Sequence, residues 1–153
     1  MMANNTLRSG VARVDITPPA GLRMQGAMRR VEPAEGTESN LLATALVIAD
    51  DQTKIVIIDC DLIGFDMDLA WQIRTAIGER VGTTKWNVLV GCTHTHNGPC
   101  TVRGCLAGPH DVAPAPNEIE ILDQYIDELI RKLVGISALA DSNAKPARVG
   151  AAA

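Results

Sequence analysis

Apolar residues along the chain follow patterns that predict both strands and helices. Alternation over Gly10–Thr17 predicts a strand that Pro18 stops. Two apolar runs, Leu41–Ala49 and Lys54–Cys60, flank a polar tetrapeptide and predict a hairpin of strands. The second run is continuous and β-branched at its centre, which predicts a strand covered on both faces. Residues 18–40 show no period and predict a long loop.

Helical spacing appears twice. Apolar residues four apart predict a helix over Asp66–Val81, capped by Asp66 and ended by Gly82. A second helix is predicted to begin at a capping box formed by Asn117 and Glu120. Its apolar stripe comprises Leu122, Ile126, Leu129, Ile130 and Leu133.

A further strand, Asn87–Thr93, follows the first helix and completes a strand–helix–strand unit. Such a unit predicts a parallel crossover. The predicted fold class is therefore α/β, with a mixed, partly parallel sheet and flanking helices. Residues Ala147–Gly150 resemble the start of another strand, so we expect the sheet to be incomplete without further chain. The 153 residues show no repeat and fit a single domain.

Composition excludes several classes of function. The chain has 14 basic and 18 acidic residues, a net charge of −4 and 3% aromatic residues. It has neither a basic stripe nor stacking platforms, so we expect no nucleic-acid partner. No apolar run is long enough for a transmembrane segment. The first residues show no basic segment followed by an apolar one, so no signal peptide is expected and the predicted location is cytoplasmic.

The candidate site is the stretch Gly91–Pro99, which holds two of the three histidines, His94 and His96. It follows a predicted parallel strand, and ligands bind beyond the carboxyl ends of such strands. Neutral imidazole is the commonest metal ligand, so the pair is a candidate metal site. Capping of polar backbone by both rings explains the pair alone equally well.

Other side chains near this stretch are candidates for the same site. Asp61 follows the second hairpin strand and is predicted to orient a histidine or act as a base, whereas Asp59 is more simply a capping residue. Asn97 is a candidate for substrate binding. Arg103 could bind a carboxylate or an oxyanion, the alternative being a solvated loop arginine.

The cysteines offer two alternatives. Cys60 and Cys92 lie in strand patterns and are simplest as buried thiols, while Cys100 could act as a nucleophile beside His96. A structural zinc site could also be drawn from residues between positions 92 and 110, although their spacing matches no two-pair zinc pattern. Its members would be Cys92, His94, His96, Cys100, Cys105 and His110.

Three segments resemble the neutral/alkaline non-lysosomal ceramidases and their shorter bacterial relatives. They are Val11–Pro18 with the following Met24-x-Gly26, then the two runs Ala45–Ile48 and Val56–Asp61, then Asn87–Pro99. The third is similar to the diagnostic Thr-His-Thr-His-Ser-Gly-Pro motif of that family, with Asn97 in place of serine. The resemblance covers roughly residues 10–100.

The resemblance implies a zinc-dependent amidase that cleaves an N-acyl bond through a metal-bound hydroxide. His94 would be a Zn²⁺ ligand, and His96 would lie beside the metal to bind or polarise a small-molecule or lipid-like amide. The family draws further ligands, a His, a Glu and a Tyr, from segments that nothing after residue 100 matches. Residues 1–153 would then be the amino-terminal α/β portion of a hydrolase domain. The implied partner is the remaining part of the same hydrolase or a companion chain. The alternative is a catalytically silent α/β domain for binding or assembly, with structural histidines.

Overall fold

The computed structural model describes residues 6–26, 30, 32–102 and 115–150. Within these ranges the chain forms five strands and two α-helices. In chain order they are β1 (Arg8–Asp15), β2 (Leu42–Ala49), β3 (Lys54–Cys60), α1 (Met67–Val81), β4 (Val88–Cys92), α2 (Pro116–Ser142) and β5 (Lys145–Pro146).

The strands form one open sheet in the order β4-β3-β2-β1-β5. β2 pairs antiparallel with both β1 and β3, while β3 and β4 are parallel and are joined through α1. The predicted hairpin, the parallel crossover and the mixed α/β fold class are therefore confirmed. The strand predicted at Ala147–Gly150 is wrong in position, because the pairing with β1 occurs two residues earlier, at Lys145 and Pro146.

Both helices pack on one face of the sheet. The side chains that alternate along β2 and β3 share a single core cluster with the apolar stripes of α1 and α2. At the edge of this core, the buried Tyr125 hydroxyl donates a 2.8 Å hydrogen bond to the Ile16 carbonyl and joins α2 to the end of β1. Burial is the main cause that raises the pKa of this phenol above its ordinary range.

Helix α1 follows its sequence signals. The Asp66 carboxylate accepts a 2.8 Å hydrogen bond from the Leu69 N–H, and Gly82 ends the helix in the left-handed conformation, with φ +72°. The four-residue apolar stripe is buried as predicted. None of the helices in the described ranges combines the length and the apolar composition needed to cross a membrane.

Helix α2 begins differently from the prediction. Its N-cap position is Ala115, without a side-chain cap, and Pro116 is the first helical residue. The predicted capping box of Asn117 and Glu120 is therefore wrong. Proline at the first helical position brings a preset φ and has no N–H to leave unpaired. The predicted stripe is buried apart from the half-buried Ile130.

The predicted coverage of β3 on both faces is also wrong within the described chain. Val56 and Ile58 are buried beneath the helices, but Ile55 on the opposite face is 41% exposed. Both described helices lie on the other side of the sheet, so this face remains open.

The long loop between β1 and β2 is held at both of its ends. The Asp15 carboxylate accepts hydrogen bonds from the Thr17 N–H at 2.7 Å and from the Asn40 amide at 2.6 Å. Hydrogen bonds from the Thr17 hydroxyl and backbone lower the pKa of Asp15. Further along, Met24 forms an isolated bridge with Pro99, so the loop lies against the segment that follows β4.

Candidate functional site

The candidate site lies at one edge of the sheet. Since β1 and β3 both run antiparallel to β2, and β4 runs parallel to β3, these three strands end at the same edge. The chain beyond β4 is joined to the chain beyond β3 by two backbone hydrogen bonds: Thr93 N–H to Cys60 O and His94 N–H to Leu62 O, both at 3.0 Å. The topology thus places the His94 segment beyond the end of a parallel strand, as predicted.

His94 has an unusual backbone conformation. Its φ is +62°, the only positive value of a non-glycine residue in the described ranges. A side chain with a Cβ pays roughly 1–2 kcal/mol for this left-handed geometry. The hydrogen bonds of the residue offset that cost, since its N–H is bonded to Leu62 O and its Nδ1 lies 2.8 Å from Ile63 O. Strained backbone held in this way is typical of functional sites.

The Ile63 contact also determines the tautomer of His94. A carbonyl oxygen only accepts hydrogen bonds, so Nδ1 carries the proton and donates it to Ile63 O. In the neutral ring Nε2 then keeps its lone pair, and the residue is exposed. Histidines that bind metals commonly show this arrangement, with one nitrogen donating to a carbonyl and the other on the metal.

The ring of His96 lies beside that of His94. The two ring centroids are 5.2 Å apart and the planes meet at 68°. Gly26, in the loop after β1, permits this position: a Cβ there would lie only 2.5 Å from His96 Cγ. Gly26 also has φ +102°, which favours glycine. The sequence indicated Gly26 only as part of a resemblance and did not show that it contacts His96.

Asp61 holds the loops of the site together. Its Oδ2 accepts from the Leu42 N–H at 3.0 Å and its Oδ1 accepts from the Thr93 hydroxyl at 3.2 Å. The carboxylate therefore connects the start of β2 to the residue just before His94. The catalytic role predicted for Asp61 stays a prediction, and these contacts identify it first as a positioning residue.

Asn97 and Arg30 border a cavity of about 350 Å³ that is also lined by Thr95, the residue between the two histidines. The Arg30 guanidinium donates to Asn97 Oδ1 at 3.3 Å and to the His96 carbonyl at 3.4 Å. The lining also includes Thr17, Glu38 and the apolar Leu41. The sequence did not predict Arg30 as a site residue. Its only signal there was its place in the basic pair Arg29-Arg30. Arg103, which was predicted to bind substrate, lies outside the described residues.

The cysteines of the strands do not suit thiolate chemistry. Cys60 and Cys92 are in-register partners on β3 and β4, and both carry free thiols. Burial raises the pKa of Cys92 to about 12 and moves that of Cys60 above its ordinary range, so both thiols stay protonated at neutral pH.

The alternative zinc site built from cysteines and histidines gains no support in the described ranges. There, no three His, Cys, Asp or Glu side chains are close enough together to hold a metal ion. The Cys100 thiol lies 3.4 Å from Val102 O. Cys105 and His110, the other proposed members, lie outside the described residues.

Comparison with known proteins supports the fold. No protein-family model matches the chain, and no curated protein sequence matches it. The structure is similar to neutral ceramidase from Pseudomonas aeruginosa, with a TM-score of 0.70 and 19% sequence identity. It is also similar to a ceramidase complexed with C2, with a TM-score of 0.73 and 19% identity.

These similarities cover 94% of this chain but only 23% and 22% of the respective ceramidase chains. The chain therefore spans less than a quarter of the length of the proteins it matches. The predicted resemblance is borne out in three dimensions, since the open α/β sheet and its two helices reproduce a fold that forms one part of neutral ceramidase.

Proposed function

We propose that this chain forms part of a zinc-dependent hydrolase that cleaves an amide (N-acyl) bond, with His94 as one zinc ligand. The observation that carries the proposal is the hydrogen bond from His94 Nδ1 to Ile63 O, which leaves Nε2 available on an exposed ring. The similarity to ceramidases supports a hydrolase of this general kind.

The donor set fits zinc only in part. Zinc in a catalytic site usually takes three protein ligands. His94 is prepared for this role, but the described residues hold no cluster of three ligands. The others would come from outside these ranges, in the remaining part of the same hydrolase or in a companion chain. Zinc, when bound, makes water a better nucleophile at neutral pH and polarises a carbonyl.

The residues of this chain would position the substrate. His96, with its ring centroid 5.2 Å from that of His94, would contact the amide group. Asn97 and Arg30 would donate hydrogen bonds to oxygen atoms of a substrate bound in the adjacent cavity. The cavity volume of about 350 Å³ is near the lower end of the usual range for small-molecule sites. It would hold a small amide or the polar end of a lipid-like one.

A catalytically silent domain is the second candidate. One observation favours it: His94 and Asp61 make hydrogen bonds that hold the loops after β3 and β4 together. Under this alternative the histidines are structural, and the chain would serve binding or assembly.

Two substitutions of His94 separate these candidates. His94→Ala removes the imidazole and keeps a side chain at positive φ, whereas His94→Gly removes the imidazole and relieves the backbone strain. If His94 binds zinc, both variants of the complete protein should contain no zinc when analysed by mass spectrometry and should not hydrolyse the amide, although the glycine variant stays folded.

The control is His96→Ala, which should keep the zinc and lose activity. Unchanged zinc content and activity in both His94 variants would refute the ligand role. A loss of stability without any bound metal in the unsubstituted protein would favour the silent domain.

A further inference from the structure

The face of the sheet opposite the helices, called the open face here, is apolar at its centre. Val11, Leu46, Ile57 and Leu89 are in-register neighbours on β1, β2, β3 and β4. They form one continuous row across four strands. The next pairing, Ile48 with Ile55, adds to this row on the side away from the candidate site.

This row is open to solvent in the described structure. The ends of the row are exposed, Val11 to 55% and Leu89 to 61%, and the neighbouring Ile55 is 41% exposed. Leu46 and Ile57, in the middle of the row, are half-buried. A sheet face that contacts water normally presents polar residues at these alternating positions. Here the row nearer the candidate site is polar, with Arg13, Thr44 and Asp59 in register, and on the other side Ser9 is paired with Ile48. An apolar patch with a polar rim is typical of an interaction surface.

The sequence of β3 gives independent support. Its run Ile55–Ile58 has no polar residue, which is typical of a strand buried on both faces. The two described helices bury only one of these faces. The apolar sequence of β3 therefore indicates that its second face is buried as well, although the described residues do not cover that face.

We propose that the open face is covered by an apolar layer of polypeptide from the rest of a longer protein, continuous with this chain. The ceramidases that share this fold carry it as less than a quarter of their length, so in them most of the chain lies outside the matched part. The occupant should present aliphatic side chains opposite the row. The proposal rests on the fold and does not depend on zinc or on amide hydrolysis.

Cysteine labelling of the complete gene product tests this surface. In Leu89→Cys the new thiol lies on the edge strand β4, at one end of the apolar row of the open face, where the native residue is 61% exposed. In Leu139→Cys it lies on α2, where the native residue is 50% exposed. Maleimide labelling rates of each site are measured by peptide mass spectrometry in the native protein and in urea. We expect position 89 to be protected at least about tenfold in the native protein, independently of protein concentration. Leu139→Cys shows that the reagent reaches exposed thiols under the same conditions.

Two results would overturn the proposal. One is labelling of position 89 as fast in the native protein as in urea. The other is protection that appears only as the concentration rises, together with a dimer in light scattering, since a second copy of the chain would then be the occupant. Hydroxyl-radical footprinting of the unsubstituted protein, read at Leu46, Ile57 and Leu89, gives the same answer if the cysteine variants do not fold.

Discussion

Replacing Gly26 by alanine tests whether the loop after β1 positions His96. Gly26 has φ +102°, and a Cβ at this residue would lie 2.5 Å from His96 Cγ and 2.8 Å from His96 Cβ and Cδ2. Non-bonded carbon atoms are normally separated by about 3.5 Å or more. The imidazole would therefore have to move by about 1 Å, or the loop would have to withdraw by the same distance.

Two effects of Gly26→Ala can be given magnitudes. The backbone strain of alanine at positive φ should lower the free energy of unfolding by about 1–2 kcal/mol. The displacement of His96 acts on the proposed reaction, where a misplacement of about 1 Å lowers the rate by about 100-fold. We therefore expect a modest loss of stability with a large loss of amide hydrolysis by the complete protein.

Gly21→Ala is the matched control. Gly21 has φ +96°, close to that of Gly26, but its nearest contact for a Cβ is Ile121 Cδ1 at an ordinary 3.8 Å. Urea unfolding should show similar losses for both variants, whereas the ring resonances of His96 in ¹H–¹³C spectra and the hydrolysis rate should change only in Gly26→Ala. Equal spectra and equal rates in the two variants would refute the reasoning.

Three further predictions concern the scaffold. Tyr125→Phe leaves the Ile16 carbonyl without its buried donor and should lower the free energy of unfolding by about 1–2 kcal/mol in urea titrations. Burial raises the pKa of this phenol, so the stabilising effect of Tyr125 is present below pH about 10 and is lost as the pH rises. The free energy of unfolding of Tyr125→Phe should therefore fall less steeply at alkaline pH than that of the unsubstituted protein. An equal pH dependence of the two proteins would contradict this. Glu118→Gln removes the charge that lies 2.9 Å from the Arg23 guanidinium, where the Glu118 and Arg23 side chains are 10% and 12% exposed. The free energy of unfolding should fall by at least about 2 kcal/mol in the same assay. A loss below about 0.5 kcal/mol would be the contrary result. The Cys92 thiol, with its pKa raised to about 12, should react with iodoacetamide at neutral pH far more slowly than a free cysteine, and rapid alkylation of the folded protein would disprove its burial.

Local signals in the sequence were sufficient for most elements. The Asp66 cap, the four-residue apolar spacing and Gly82 defined α1, because capping and periodicity involve residues within a few positions of one another. The start of α2 was predicted wrongly because two signals competed. Asn117 and Glu120 suggested a capping box, but Pro116 occupied the first helical position instead.

The site was predictable to the extent that it lies in one segment. His94, His96 and Asn97 follow a parallel strand in the sequence, so their place at the carboxyl edge of the sheet followed from the order of elements. Arg30 and Gly26 belong to a loop without periodicity, and no local pattern links them to residues about 70 positions away.

The sequence by itself determined the elements, the mixed sheet and the position of the histidine pair, because these follow from periodicity, caps and the order of strands. Only the tertiary structure decided the tautomer of His94, the approach of Gly26 to His96 and the anchoring of Thr93 by Asp61. Each of these depends on a contact between separate loops. The coverage of β3 depends on both: its continuous apolar run indicated two buried faces, and the fold showed that the described part of the chain covers one of them.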